Sequence, residues 1–293
     1  MSTEPLLRPG PVESAGTPTR QLVRAEGGGI GSLFEYFAIT ARRYFKISAF
    51  SQLGAPILYM LSLGVGLGGV VNSGGGAASL GTGYLSFIAP ALIAATALQV
   101  GVGEATYPIL HGGFKHQRTY FAMNATPISA GQIARAVLLW IAFRTSLSAA
   151  LYLVVVAFFG GVRSVGVLLC VPIAMLGALA LAAPIAAYSA SVETEGGGFV
   201  AIFRFIVTPM FLFSGTFYPI SSLPLWARDL AWISPLWHAT ELARWVSLGP
   251  LRLRSGVGQI SIVVVLVHLT VLLALTAVGA VLTCRRFQIR LAR

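Results

Sequence analysis

The stretch FLFSGTFYPISSLPLW, residues 211–226, joins a strongly apolar run to residues that interrupt helices. The run breaks at Ser214-Gly215 and then meets Pro219 and Pro224. Proline lacks a backbone N–H, and its ring clashes with the preceding helical turn, so both prolines favour an end to the helix. The stretch therefore predicts a hydrophobic helix that stops early in a tight corner.

The whole chain is poor in charge. Of its 293 residues, 56% are hydrophobic and only 10% are charged, whereas a soluble protein carries about a quarter charged residues. Asp, Glu, Lys and Arg are missing from three long intervals, 47–103, 164–192 and 255–284. Because a membrane-spanning helix needs about 20 apolar residues, the first interval holds two spans and each of the others holds one. We therefore expect an integral membrane protein.

Six membrane-spanning helices are predicted, and they define an all-α fold. The apolar runs are continuous rather than alternating, which favours a helical bundle over a transmembrane β-barrel. The linker NSGGGAASLGTG, residues 72–83, separates the first two spans. The spans are expected at 49–71, 84–110, 132–159, 165–190, 199–218 and 257–283.

Basic residues indicate the orientation of this bundle. They gather before the first span, between the second and third spans, and after the sixth. With six spans these regions share one side, and the positive-inside rule makes it cytoplasmic, together with both termini. The net charge of +11 therefore fits topology and anionic lipid rather than nucleic acid. Residues 1–29 lack the apolar core of a signal peptide, and a disordered cytoplasmic tail is predicted there.

Tryptophan marks the segment that follows the corner. Four of the five tryptophans lie there, namely Trp226, Trp232, Trp237 and Trp245. Tryptophan concentrates at the membrane interface, and Pro224 and Pro235 divide the segment into two short helices, 224–233 and 235–247. Since neither can span a bilayer, we expect residues 219–247 to be a re-entrant segment in the outer leaflet.

An amphipathic stretch precedes the first span. In GSLFEYFAITARRYFKISAF, residues 31–50, aromatic and apolar side chains alternate with charged ones. On a helix this pattern forms an apolar stripe beside a basic one, which is typical of a helix lying in the membrane interface. An interfacial helix is predicted at 31–47. An extended first span with a basic flank is the alternative.

The connection between the second and third spans is short and has structural signals of its own. A Gly-Gly break at 112–113 and a short mixed helix lead to Thr126-Pro127-Ile128-Ser129. Proline fixes φ there, and Ser129 can cap the next helix. A rigid element below two spans suits docking to a partner, and we call residues 111–130 the coupling segment. An ordinary solvated loop is the alternative.

Motifs for catalysis and nucleotide binding are missing or out of place. GVGLGG, residues 64–69, has the spacing of a dinucleotide-binding loop, but it lies in a predicted span rather than between a strand and a soluble helix. The sequence has no G-x-x-x-x-G-K-[ST] phosphate loop and no metal-binding or paired-carboxylate motif. We therefore expect no bound cofactor, no metal and no enzymatic activity in this chain.

At the corner the sequence resembles the type-2 permeases of ATP-binding-cassette (ABC) exporters. Their hallmark is matched here by Ser214-Gly215, Tyr218-Pro219, Leu223-Pro224, Pro235-Leu236 and a helix that ends in Arg244. Upstream, residues 84–110 (YLSFIAPALIAATALQVGVGEATYPIL) and 121–129 (FAMNATPIS) resemble the branch that exports nodulation lipo-oligosaccharides and hydrophobic antibiotics such as daunorubicin. The resemblance covers roughly residues 30–290.

This resemblance implies a dimeric permease whose ATPase is a separate protein. ATP and Mg²⁺ would bind to cytoplasmic ABC ATPase subunits, and the second permease subunit would be a copy or a relative of this chain. The expected setting is the bacterial cytoplasmic membrane, with lipid as a further partner. A coupling helix would follow the second span, and the candidate residues for contact with the ATPase are Phe114, Lys115, Arg118, Tyr120 and Phe121. Lys115 and Arg118 replace a segment that is more acidic in many relatives.

Two further sets of residues are candidates for the translocation path or its gate. Glu104 and Arg135 are expected at similar depth, so they can pair, whereas Arg144 lies nine residues further along the third span and must face the bundle or the path. The second set lies at the corner. Its members His238, Glu241 and Arg244 recur at a spacing of three and can bind one another or a polar headgroup. It consists of Gly215, Tyr218, Trp237, His238, Glu241 and Arg244. Structural bonding is the alternative for both sets.

Three functions compete for this sequence. The first is an exporter permease that moves a hydrophobic or amphiphilic substrate, such as a drug, a lipid or a lipo-oligosaccharide. The alternative is an ion-coupled secondary transporter, with Glu104, Arg144 and His268 as the coupling residues, although a packed and hydrogen-bonded role is the more ordinary interpretation of His268. A membrane-embedded enzyme is disfavoured because the catalytic motifs are missing.

Overall fold

All of the regular secondary structure in the described part of the protein is helical. The computed structural model describes residues 28–43, 45–75, 80, 82–162, 164–193, 197–248 and 262–293. The predicted tail, residues 1–29, lies outside this part except for Gly28 and Gly29, which begin the first helix. Residues 257–261 of the predicted sixth span also lie outside it.

The helices of the described chain are numbered here in order. They are α1 (Gly28–Arg42), α2 (45–73), α3 (Tyr84–Lys115), α4 (Thr119–Asn124), α5 (Ala130–Phe158), α6 (Val165–Ser191), α7 (Gly198–Phe213), α8 (Leu225–Ala231), α9 (Pro235–Leu248) and α10 (Ile262–Leu291). Three of them contain a wider, π-helical stretch, at Met60–Leu67, Pro108–Lys115 and Phe203–Val207. The amphipathic helix predicted at 31–47 ends at Arg42, and a new helix begins at Phe45.

Five helices of the described chain are long and apolar enough to cross a membrane. They are Gln52–Ser73 within α2, and α3, α5, α6 and α10. The span predicted at 199–218 is instead a shorter apolar helix, α7. It ends at Phe213, and Gly215 then takes a φ of +71°. An all-helical membrane protein with five candidate spans is therefore established, and the sixth span remains a prediction.

Helices α3 and α6 form the centre of the bundle. α6 packs along α10 on one side and along α3 on the other, and α5 packs against both. Small residues allow this close approach. A Cβ atom on Gly279, for example, would meet the Pro184 side chain at 2.6 Å. The most apolar window of α3 is 83% buried, compared with 22% in α2 and 17% in α10, so the last two carry much of the apolar surface.

The bundle has two chemically different ends. At the basic end, α4 meets the C-terminal end of α3 and contacts α5 and α10, and the Asn124 side chain donates to the Leu291 carbonyl at 3.2 Å. At the corner end, α9 packs between α3, α6 and α10. Helix α7 joins the two ends, because Phe199 near its start packs on Tyr188 of the basic end and Ser214 beyond its last residue bonds Ser234 of the corner end.

Candidate functional site

Arg244 ties the corner to the bundle. Its side chain on α9 is only 2% exposed. It donates to the carbonyls of Gly215 at 2.5 Å, Thr216 at 3.1 Å and Phe87 at 3.2 Å. The guanidinium carbon also lies 3.8 Å from the centre of the Phe87 ring, and the Glu241 carboxylate lies 3.3 Å away. A buried guanidinium is tolerated only with such partners, so the corner is built around this side chain.

Gly215 supplies the turn that makes these contacts possible. Its φ of +71° lies in the left-handed region, which a glycine enters without the steric cost of a Cβ. The turn directs the carbonyls that follow α7 towards Arg244. The Tyr218 hydroxyl donates to the Leu212 carbonyl at 2.7 Å, so part of the free backbone at the helix end is also bonded.

Two histidines meet in the interior of the corner end. His238 Nδ1 lies 2.6 Å from His268 Nδ1, and His238 Nε2 lies 2.9 Å from the Trp232 carbonyl oxygen. A carbonyl can only accept, so a neutral His238 carries its proton on Nε2 and accepts at Nδ1 from His268. Burial lowers the pKa of His238, an effect that the bond to Trp232 partly offsets.

The predicted set of corner residues therefore separates into two groups. Glu241 and Arg244 bind each other beside Gly215, as their spacing predicts. His238 bonds His268 instead, and Trp237, 6% exposed, packs on both histidines at ring-centre distances of 4.9 and 4.8 Å. The other three corner tryptophans are on the protein surface, with exposed fractions of 67% for Trp226, 50% for Trp232 and 37% for Trp245.

Glu104 pairs with Arg144 and not with Arg135, the partner that sequence analysis considered feasible. Arg144 Nε lies 2.9 Å from Glu104 Oε1, with the two side chains 16% and 19% exposed. Arg135 Nε donates instead to the Gly131 carbonyl at 3.1 Å. The reason is depth along the bundle. α3 continues to Lys115 rather than ending at 110, so Glu104 lies further from the basic end than expected.

The coupling segment is organised around a buried aromatic cluster. Phe114, 3% exposed, and Tyr120, 5% exposed, pack on Phe287 of α10 with ring centres 5.0 and 5.3 Å away. A Cβ on Gly113 would collide with the Tyr120 ring. The glycine therefore permits the fold-back of α4 onto α3.

Arg290 fastens this cluster to the end of α6. Its Nη1 donates to the carbonyls of Ser189 at 3.2 Å, Ala190 at 3.0 Å and Val192 at 2.8 Å. Carbonyls at a helix C-terminus lack partners within the helix, so a guanidinium is well placed there. Its carbon also lies 4.1 Å from the centre of the Phe114 ring, at cation–π distance.

The candidates for contact with an ATPase thus divide into two groups. Phe114 and Tyr120 point inward, whereas Lys115, Arg118 and Phe121 are exposed. Arg118 is the one non-glycine residue with positive φ in the described part of the chain, at +50°, and it leads into α4. Contact with a partner remains a prediction for the three exposed residues.

Sequence analysis missed Arg290 and Phe287. Arg290 was counted only as a basic residue after the last span, and Phe287 was assigned no role. A signal was nevertheless present, because a spacing of three puts both side chains on the same side of a helix. The sequence could not indicate that this side faces the coupling segment.

Comparison with known proteins identifies the class. Residues 30–248 match the family described as ABC-2 type transporter. The chain belongs to the ABC-2 type transporter family, and it is therefore related to membrane permease subunits that are not themselves ATPases. This confirms the resemblance drawn from the corner motif.

Individual relatives agree with this assignment. Nodulation protein J of Rhizobium leguminosarum bv. trifolii is 28% identical over 225 residues, which cover 75% of this chain and 83% of the relative. The protein of the same name from R. leguminosarum bv. viciae is 30% identical over 202 residues, covering 69% and 75%. A shorter region, 19% of this chain, is 32% identical to 15% of the probable multidrug ABC transporter permease YbhR of Escherichia coli strain K12. No solved structure matches the chain.

Proposed function

We propose that this chain is the membrane-spanning permease subunit of an ABC exporter. It moves a hydrophobic or amphiphilic substrate outward, of the class of drugs, lipids or lipo-oligosaccharides. Separate cytoplasmic subunits bind ATP and Mg²⁺ and hydrolyse the ATP. Membership in the ABC-2 type transporter family supports this proposal and favours it over an ion-coupled secondary transporter.

The observation that carries the proposal is the construction of the coupling segment. Lys115, Arg118 and Phe121 are exposed at the basic end, on a short element held from behind by packed aromatic rings. The positive φ of Arg118 is strained for a non-glycine residue, at a cost of about 1–3 kcal/mol. Such strain is retained where the surrounding structure enforces it, and it clusters at active sites, ligand clamps and switch regions. We assign this surface to the ATPase.

A route for conformational work follows from the contacts behind this surface. Movement of the coupling segment would displace Phe114 and Tyr120, which pack on Phe287. Arg290 connects Phe114 to the end of α6. Because α6 packs along both α3 and α10, a small shift at the basic end would reach the centre of the bundle through packed contacts.

The membrane arrangement that fits this role has six crossings. α7 runs between the basic end and the corner end, so it crosses the bundle although it is shorter than the other candidate spans. α8 and α9 have 7 and 14 residues, and at 1.5 Å per residue neither covers a hydrocarbon core of about 30 Å. We assign them to the outer surface of the bacterial cytoplasmic membrane, with both termini in the cytoplasm.

A dimer would complete the transport path. The exposed apolar side chains of α2 and α7 fit a second permease subunit as well as lipid. Two corners, each held by Arg244 and Gly215, would then roof the path. Substrate would leave when the two halves separate. In this arrangement the gate contains Tyr218, Trp237, the His238–His268 pair and the Glu241–Arg244 pair. The Glu104–Arg144 pair belongs to the path.

Co-purification tests the assignment of the coupling segment. The tagged chain, expressed with a candidate ABC ATPase subunit, should retain that subunit through affinity purification. The double variant Lys115→Glu with Arg118→Glu should lose it, whereas Arg285→Glu with Arg286→Glu, at exposed basic residues of the same end, should not. Retention by the first double variant would contradict the proposed docking surface.

A further inference from the structure

A cavity of about 190 Å³ lies at the basic end, between α1, the end of α3, the coupling segment and α5. Tyr36 and Phe37 of α1 and Trp140 of α5 supply aromatic walls. Phe37 and Trp140 lie 6.0 Å apart between ring centres. Glu104 lines the same cavity, together with neutral polar side chains of the coupling segment.

The described lining of this cavity contains a single charged side chain, which is paired with an arginine outside the lining. Glu104 is the one charged residue among the described residues that line it, and its partner Arg144 lies outside the lining. Arg144 bonds to Oε1, while an ionised carboxylate has two oxygens and about four acceptor positions. The negative charge of Glu104 also acts on Tyr120, which lines the same cavity. The pKa of Tyr120 is raised, mainly by burial and then by the negative charge of Glu104.

We propose that this cavity binds the ammonium group of an amphiphilic organic cation. Glu104 would be its counter-ion, and Phe37 and Trp140 would pack on its alkyl substituents. A carboxylate beside aromatic faces is the combination that recognises organic ammonium groups, through a charge-assisted contact and cation–π attraction. The inference deepens the proposed function, because it makes the cavity a site for substrate before export.

Glycine at position 112 keeps the cavity open. Gly112 lines the cavity, and the nearest atom to a Cβ there would be the Gln117 side-chain oxygen at 3.9 Å. A larger side chain would therefore enter free space. At the neighbouring Gly113, a Cβ would collide with the ring of Tyr120. Gly112→Leu therefore places a bulky side chain in the cavity while keeping both Glu104 and Arg144.

Trp140 provides a direct signal for binding, since the other four tryptophans lie at the corner end. The protein is purified in a non-ionic detergent without any ATPase, and N-hexylpyridinium, a cation that quenches indole fluorescence, is titrated. We expect a saturable quenching component that is missing from Trp140→Phe. Hexyltrimethylammonium should displace the pyridinium, and 1-hexanol at equal concentration should not.

Two variants make the test decisive. Glu104→Gln with Arg144→Gln removes the carboxylate and keeps a neutral pair, and we expect it to weaken pyridinium binding about tenfold or more, because the cation loses its counter-ion in a partly buried site. Gly112→Leu should abolish the saturable component even if the double variant does not fold. Unchanged affinity in either folded variant, or displacement by 1-hexanol, would overturn the inference.

The outcome is separable from that of the proposed function. Because the titration contains no ATPase, cation binding without ATP-driven transport would contradict the export proposal alone. ATP-driven export by a protein that fails to bind the cation would contradict the cavity assignment alone.

Discussion

Arg290 lies over the ring of Phe114, with 4.1 Å between the guanidinium carbon and the ring centre, while its Nη1 donates to three carbonyls at the end of α6. One side chain of α10 therefore connects the coupling segment with α6. Movement of the coupling segment either passes through this contact or breaks it. This one contact joins the coupling segment, α6 and α10 at the basic end.

Arg290→Gln should uncouple ATP hydrolysis from transport. The variant loses the cation–π contact and the charge-assisted bonds, together about 2–3 kcal/mol. We expect the substrate transported per ATP hydrolysed to fall about tenfold or more, while co-purification with the ATPase is retained. The control is Arg293→Gln, because Arg293 and Glu193 form a pair that is 72% and 74% exposed and worth little. An equal loss of assembly and transport would instead indicate a structural role only.

Arg244→Lys should destabilise the corner end strongly. Lysine lacks the planar fork that reaches the carbonyls of Gly215 and Phe87 together, and each lost hydrogen bond to a charged group costs about 1.5–3 kcal/mol. The thermal unfolding midpoint in detergent should fall clearly below that of the unsubstituted chain. Arg228→Lys is the control, since Arg228 bonds an exposed carbonyl of Ser221. A similar midpoint for both variants would contradict the central role of Arg244.

The His238–His268 contact should make stability depend on pH. A histidine in an unfolded chain has a pKa of about 6.5, and the pKa of His238 in the folded protein is lower. The folded state therefore binds fewer protons. The stability is present above about pH 6.5 and is lost as pH falls through the folded-state value.

Unfolding midpoints between pH 7.5 and 5 measure this effect. We expect the midpoint to fall on acidification, because a protonated His238 no longer accepts at Nδ1. His238→Gln should show a flatter profile over the same range. The same slope in the variant and in the unsubstituted chain would exclude His238 as the titrating group.

Cysteine cross-linking should separate the outer and inner faces of the coupling segment. A cysteine in place of Phe121, which is 36% exposed, should form cross-links to the ATPase subunit, whereas one in place of Tyr120, 5% exposed, should not. The aromatic ring at 121 is of the type that anchors interfaces. Cross-links from the 191–198 connection, with none from 121, would move the docking site to the end of α6.

The sequence predicted the regular parts of the fold because local rules govern them. Pro224 and Pro235 predicted the first residues of α8 and α9 to within one residue. Ser129 caps α5 as predicted, and Gln132 completes the capping box. The end of α3 was missed because the Gly-Gly break at 112–113 suggested a helix end. In the structure Pro108 opens a π-helical stretch, where its missing N–H is tolerated.

Partners between distant segments were beyond the reach of the sequence. Periodicity places His238 and His268 on their own helices, but it contains no information on a contact that joins positions 30 residues apart. The same holds for Arg290 and Phe114. The Glu104 partner depended on a helix length, so an error at the end of α3 became an error in the site.

The energy source of transport tests the central claim most directly. Inverted membrane vesicles that contain this chain and its ABC ATPase subunit are supplied with daunorubicin or a fluorescent short-chain phospholipid, and uptake is followed by fluorescence. We predict uptake that requires hydrolysable ATP, persists after a protonophore collapses the proton gradient, and is lost when the ATPase subunit is omitted. Uptake driven by a proton gradient without ATP or the ATPase would contradict the account.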